Sequence, residues 1–286
     1  KFTLSILILF TINIAGSAQK RALSTINVDD LKRHLTFIAS DSLQGRRFGT
    51  EVDGLGITAN YLATEAKNMG MKPGCDEFFQ KVKIVGSKPD EGRFIQIENN
   101  KSEILYKSNS IISLRGGSKE VSFEKEEVII AGFGFINDEL GYDDLKDINV
   151  QGKIVVIAQG TPKLFETGES FKWNNQLERS KIKRISEKNP KAIIFVTNPQ
   201  DKKGNTFNQI SRYINRQRYE LEPSKEDSEE VLSLIVNPQF ADELFGRKGK
   251  FEKYLKTIVK KNTSNSYLVK GKSINLKLGK VVEAVD

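Results

Sequence analysis

Apolar residues recur at three-to-four spacing through the first eighty positions and then gather into short, nearly unbroken runs. Leu31, Leu35, Ile38 and Ala39 line one face of a segment whose other positions include Lys32, Arg33 and Thr36, the pattern of an amphipathic helix. Asn27 or Asp29 can cap its start, and Asp29 with Asp30 places negative charge at the positive end of the helix dipole. After Gly45-Arg46-Arg47-Phe48-Gly49, a second helix is signalled by Thr50 as cap and Asp53 in the first turn. Its stripe is Leu55, Ala59, Leu62, Ala66 and Met69, and Gly70 supplies a left-handed stop. The following MKPGCDEFFQKVKI reads as a turn and then a strand carrying Phe79, Val82 and Ile84. Both helical stripes need a surface to bury against.

Beyond residue 90 the periodicity becomes that of strands. The runs RFIQIE, EEVIIAGFGF, GKIVVIAQG, KAIIFVT and VLSLIV are separated by polar segments, and SYLVK and SINLKL flank Gly271-Lys272. Ile154 to Ala158 and Ile193 to Val196 are continuously apolar, which predicts strands covered on both faces. A helix is predicted from about Asn175 to Lys188. The polar stretch from Pro199 to Lys225, with Gly204-Asn205 and many charges, reads as a long mobile excursion. The fold class is mixed α/β, mainly β after the leading helices.

Composition bounds this picture. The chain has 286 residues, 38% of them hydrophobic, which excludes a disordered chain and leaves room for about two domains. LSILILFTINIAG behind Lys1, followed by Gly16-Ser17-Ala18, fits a secretory signal peptide. That run falls short of the ~20 residues that span a bilayer, so a cleaved leader is expected rather than a stable membrane anchor, with the product periplasmic or extracellular. Cys75 is the single cysteine, so an exported product has no internal disulfide framework, and its Pro-Gly-Cys-Asp setting reads as a loop thiol.

The net charge of +8 and pI near 9.3 raise the question of nucleic acid. A nucleic-acid binder gathers basic residues beside aromatics on one surface, and the nearest candidate is FEKYLKTIVKKN. There Phe251, Leu255, Ile258 and Val259 form one face, with Lys253, Lys256, Lys260 and Lys261 around it. This reads as a solvated amphipathic helix, and no nucleic-acid partner is expected.

Two stretches carry a resemblance. FIASDSLQGRRFGT, the helix ending in NMGMKP and the following FFQKV resemble the amino-terminal lead-in of secreted zinc aminopeptidases of metallopeptidase family twenty-eight. EEVIIAGFGFINDELGYDDLKDINVQGKIVVIAQGTP, then KAIIFVTNP and VLSLIVNPQFADELFG, resemble the protease-associated domain inserted within the same enzymes, in the same order. The segment from Phe165 to Lys183 carries nothing specific to that family. The resemblance implies a signal peptide over 1–18, a helical lead-in of a zinc-exopeptidase domain over 19–90, and a β-rich protease-associated domain with flanking helices over 91–280. Residues 281–286 would then open a catalytic domain that lies beyond Asp286. It further implies an exported enzyme that removes amino-terminal residues from peptides. The missing catalytic domain would hold the zinc, two ions in the family. The inserted domain would restrict access and meet the peptide or protein substrate, while this chain supplies no catalytic, cofactor-binding or metal residue. The other reading is a stand-alone secreted peptide- or protein-binding module with no enzymatic activity.

The residues themselves agree with that division. A catalytic zinc site takes about three protein ligands, commonly with histidine among them, and His34 is the single histidine. It stands beside the first apolar stripe, near Asp41, Arg46 and Arg47, where packing or solvent contact is the expected role. Glu126-Glu127, Asp143-Asp144 and Glu229-Glu230 are paired in sequence, but adjacent strand residues point to opposite faces, so the pairs are not acid–base couples. Asp143-Asp144, in the GYDDL turn, can offer oxygens to calcium, although such sites usually recruit more than two ligands. Gly132-Phe133-Gly134 lacks the third glycine and the helix of a dinucleotide loop and reads as a turn. No serine sits in a G-x-S-x-G elbow. Asn100 and Asn262 begin glycosylation sequons that matter in a eukaryotic source. Without a catalytic sheet to cover, the Leu31 and Leu55 stripes are expected to stay open and to favour association.

Overall fold

Asn27 caps the first helix: its side-chain oxygen accepts the Asp30 amide at 2.8 Å, and α1 runs Val28–Ile38. The computed structural model describes residues 26–46, 51–100, 102–115, 120–162, 174–201, 207–214, 217–221 and 231–284. The expected leader, Arg47, Thr50 and Glu229-Glu230 therefore lie outside the described residues. The chain divides into compact units between Lys81 and Val82, a little before the expected boundary after residue 90.

In the first unit, α2 spans Gly54–Asn68. Its cap is Asp53, whose carboxylate accepts the Gly56 amide at 2.8 Å, so Asp53 stands at the cap and not inside the first turn. Gly54 sits where any side chain would collide, since a Cβ there would lie 1.9 Å from the Leu43 carbonyl oxygen. α1 meets α2 through its polar and aromatic side: Phe37 and Tyr61 rings lie 4.3 Å apart, and Arg33 pairs with Glu65 at 3.2 Å. The leucine stripes stay open, with Leu31 at 51%, Leu35 at 64% and Leu62 at 51% exposure. The strand expected over Phe79 and Val82 does not begin there; both residues are exposed and the first strand starts at Ile84.

The second unit opens with β1 (Ile84–Pro89), β2 (Phe94–Asn99), β3 (Ser102–Lys107), β4 (Ile111–Arg115), β5 (Val121–Glu126) and β6 (Val128–Ile130). Short β7 (Ile136–Asn137) and β8 (Tyr142–Asp143) pair with each other before β9 (Ile154–Ala158), α3 (Asn175–Ser186) and β10 (Ala192–Val196). Then follow α4 (Phe207–Ile214), β11 (Arg218–Leu221), β12 (Leu232–Val236), α5 (Pro238–Phe245), α6 (Lys250–Lys261), β13 (Tyr267–Leu268), β14 (Lys272–Leu278) and β15 (Lys280–Ala284). The result is a mixed α/β fold.

Its centre is a six-stranded sheet in the order β13-β6-β9-β10-β12-β4. β6, β9, β10 and β12 run parallel, and β13 and β4 close the edges antiparallel. The unbroken apolar runs follow from this position. In β9, Ile154, Val156 and Ala158 join one cluster with Phe240, Leu244, Phe251 and Leu255 of α5 and α6 and with Ile95, Ile97, Ile274 and Leu276 of a second sheet. Val155 and Ile157 join the opposite cluster with Ile185 of α3 and Phe207 and Ile210 of α4. Alternation persists, but both faces are dry. The second sheet runs β3-β2-β14-β5, and β14 alternates in burial because its outer face meets solvent.

The stretch expected as a mobile excursion from Pro199 to Lys225 instead holds α4 and β11. Phe207 and Ile210, three apart, anchor α4 on the sheet, a spacing easily overlooked among so many charges. β11 pairs with β1, which pairs on its other side with β15. The segment expected to open another domain, from residue 281, is thus part of the strand beside β1.

α1 buries no residue, whereas every residue of β9, β10 and β12 is buried. Amide hydrogen exchange should therefore run at least about a hundredfold faster in α1 than in β9 and β10. Equal protection in a monomeric sample would contradict this.

Candidate functional site

The carboxyl ends of parallel strands are where open α/β sheets place their sites, and here those ends are occupied by buried charge. After β6, the chain turns through Gly132 and Gly134, both at positive φ (51° and 61°). A Cβ at Gly132 would lie 2.7 Å from the Asp144 carboxylate, and one at Gly134 would lie 2.8 Å from Ile157. Only glycine fits this turn. Asp144 holds it: one carboxylate oxygen accepts the Phe133 and Phe135 amides, each at 3.0 Å, and the other accepts the Tyr142 hydroxyl at 2.8 Å. Tyr254 of α6 accepts the Gly132 amide at 2.9 Å and donates to the Asn265 carbonyl at 2.7 Å.

α3 sends two charges inward. Its cap is Asn174, which accepts the Gln176 and Leu177 amides, and its buried positions are Glu178, Lys181 and Ile185. The Lys181 ammonium donates to the carbonyls of Phe133 at 3.0 Å, Ala158 at 3.0 Å and Gly160 at 2.9 Å. It also lies 2.6 Å from one oxygen of Glu178, whose other oxygen accepts the Gly160 amide at 2.8 Å. Both side chains are almost wholly buried.

Burial sets the protonation equilibria of this cluster. It raises the Glu178 carboxyl and lowers the Lys181 ammonium, with their mutual attraction opposing both. Asp144 is pushed up to about 6 by burial, against the pull of the Phe135 amide, the Tyr142 hydroxyl, the Phe133 amide and Lys181. Burial likewise raises Tyr142 and Tyr254.

Perturbed equilibria often mark active sites, but a working acid or base must reach a substrate. Lys181 has spent its three protons on carbonyls, and Asp144 is enclosed at 1% exposure. The cluster is a clamp that joins the turn after β6 to the end of β9. Beside it, polar side chains finish the sheet edge: Gln159 donates to Asp201 at 3.1 Å, and Asn198 donates to the Gln159 carbonyl at 3.3 Å.

The residues singled out from sequence are dispersed. His34 Nδ1 lies 2.7 Å from the Tyr61 hydroxyl and its Nε2 lies 3.2 Å from Arg33, a helix-packing role. Glu126 pairs with Lys191 and Glu127 with Lys153, so the two carboxylates serve different partners. Asp143 accepts the Leu145 amide while Asp144 is spent on the turn, so the GYDDL pair does not converge on a cation. Cys75 is exposed and unbridged. Among the described residues no three His, Cys, Asp or Glu side chains come together as metal ligands. Glu178 and Lys181 escaped sequence reasoning, because a Glu and Lys three apart on a polar helix read as a solvated pair.

In the first unit an open groove of about 770 Å³ runs between Asn60, Ala63 and Lys67 of α2 and Met71, Pro73 and Phe79. Its size suits a ligand, and Lys67, Lys72 and Glu77 stand among its lining residues. Neither a protein-family model nor a curated protein matches the chain.

Lys181→Met would leave Glu178 and three carbonyls unpaired and should cost about 3–5 kcal/mol in urea unfolding; adding Glu178→Leu should recover part of that loss. A single variant as stable as wild type would refute the clamp. Because the folded Asp144 binds its proton more tightly than the unfolded one, folding is favoured at low pH, and this contribution is lost as pH rises from about 4 to about 6. Asp144→Asn should remove that slope, roughly 2–3 kcal/mol across the window. Parallel stability–pH curves for variant and wild type would show that Asp144 does not titrate there.

Proposed function

We propose that this chain is the non-catalytic lead-in and inserted protease-associated portion of an exported zinc-dependent aminopeptidase, an enzyme that hydrolyses amino-terminal residues from peptides. The observation that carries the reading is the pairing of β1 with β15. Val85 stands opposite Ala284 and Pro89 opposite Lys280, so the first and last strands of the second unit run side by side. A domain with adjacent ends can be inserted into a host without separating the host's own elements. The residue patterns of the two segments, in their order, support the same reading.

The proposed division of labour follows from the chemistry described above. The buried charged groups of the second unit, Asp144, Glu178 and Lys181, hold its turns, so this domain restricts access and meets the peptide or protein substrate. Zinc, expected as two ions, belongs to the catalytic domain. The open leucine stripes of α1 and α2 are the faces such a domain would cover. The second reading, a secreted peptide- or protein-binding module, is favoured by one observation: the second unit has its own cores on both faces of the central sheet.

The test is the complete open reading frame that contains this chain, expressed beside residues 20–286 alone. The complete product should hydrolyse aminoacyl nitroanilides, lose that activity to a zinc chelator and regain it with zinc. Residues 20–286 should neither hydrolyse them nor retain stoichiometric zinc. A complete product without chelator-sensitive hydrolysis, or about one zinc per isolated chain, would overturn the proposal, and peptide retention by the inactive product would favour the binding module.

A further inference from the structure

The net charge of the chain is concentrated in one place. Of 45 basic and 37 acidic residues, residues 246–272 hold nine and one; what remains is 36 of each. The +8 of the whole chain is therefore the charge of α6 and the segments on either side of it.

The helix presents that charge outward. Lys250, Lys253, Lys256 and Lys260 follow one another at spacings of three, three and four, which places them on one face. Phe251, Tyr254, Leu255 and Ile258 are buried on the other side. The twelve residues of α6 give a face about 18 Å long, extended by exposed Arg247, Lys248, Lys261 and Lys270. Two carboxylates adjoin it. Asp242 accepts the Gly249 and Phe251 amides, and Glu252 pairs with Lys256 at 2.7 Å. No carboxylate of the described residues pairs with Lys250, Lys253, Lys260 or Lys261.

The make-up of the face selects among polyanions. Single-stranded nucleic acid recruits exposed aromatic side chains for stacking, but Phe251 and Tyr254 are turned into the core. A protein partner needs a central apolar or aromatic anchor, and α6 exposes no large apolar side chain. What is left is a row of lysines, compact point charges on flexible stems, suited to a diffuse, laterally mobile negative surface. Such rows bind anionic lipid headgroups through charge alone, each lysine adding to the attraction.

We propose that the lysine face of α6 docks on the surface of an anionic phospholipid bilayer. The contact is peripheral and salt-dependent; none of the described helices is long and apolar enough to cross a membrane. It does not rest on the aminopeptidase reading.

The experiment is co-sedimentation of the full chain with vesicles of phosphatidylcholine mixed with phosphatidylglycerol, and with phosphatidylcholine alone. The chain should sediment with the mixed vesicles only, and added salt should release it. Replacing Lys253, Lys256, Lys260 and Lys261 by Gln should weaken binding by at least about a hundredfold with the unfolding midpoint unchanged. The same charge removed from exposed Lys72, Lys107, Lys183 and Lys188 should weaken it far less. Equal binding to both vesicle types, equal losses in the two quadruple variants, or tighter retention on duplex DNA than on the mixed vesicles would each overturn the proposal.

Discussion

A lysine ammonium taken out of water must recover its hydration from the protein, and Lys181 recovers it from three backbone carbonyls and one carboxylate. Desolvation of such an ion costs several kcal/mol, so the arrangement persists only because each partner is held by something else. The Phe133 carbonyl is fixed by a turn that requires glycine on both sides. The Ala158 carbonyl belongs to a strand buried on both faces, and Glu178 is fixed by the Gly160 amide. Removing any one leaves the others unsatisfied, which makes the loops after β6 and β9 a single cooperative object. Asp144 completes it from the opposite side of the turn, and burial, against the pull of its hydrogen bonds and of Lys181, holds its proton tightly.

This constraint also decides what the sheet's carboxyl edge can do. In many open α/β sheets the loops at that edge are free to bind ligands. Here the described residues that follow β6 and β9 are tied to α3, to α6 through Tyr254, and to one another. The available surfaces lie elsewhere: the basic outer face of α6, the paired strands β1, β11 and β15, and the open stripes of α1 and α2. All of these are suited to contact with larger bodies.

The sequence was most legible where burial is two-sided. Ile154 to Ala158 and Ile193 to Val196 have no polar interruption, and nothing but a central strand suits such short runs, so β9 and β10 were readable in type and in burial. It was least legible where polarity and burial disagree. The inward stripe of α3 reads Glu178, Lys181, Ile185, and no periodicity of apolar residues can find a stripe that is two-thirds charged. α4 was hidden in the same way, since Phe207 and Ile210 are two contacts within a long polar stretch. α1 is the opposite case, a well-formed leucine stripe that stays open, as expected where no sheet covers it. The helix instead packs on α2 through Arg33, His34 and Phe37, because ring stacking with Tyr61 and the Glu65 ion pair are available there.

His34 shows how one residue can mislead when chemistry is sought by residue type. As the single histidine, beside Asp41 and Arg46, it draws the eye as a ligand or a base. Its ring instead lies within hydrogen-bonding distance of Tyr61 through one nitrogen and of Arg33 through the other, which leaves no lone pair directed at solvent or metal. Asp144, Glu178 and Lys181, whose proton equilibria are all shifted by burial, are almost wholly enclosed. In this protein a shifted equilibrium measures enclosure. Reactivity would require the same groups to reach a substrate, and the turn, the strand end and the helix enclose them.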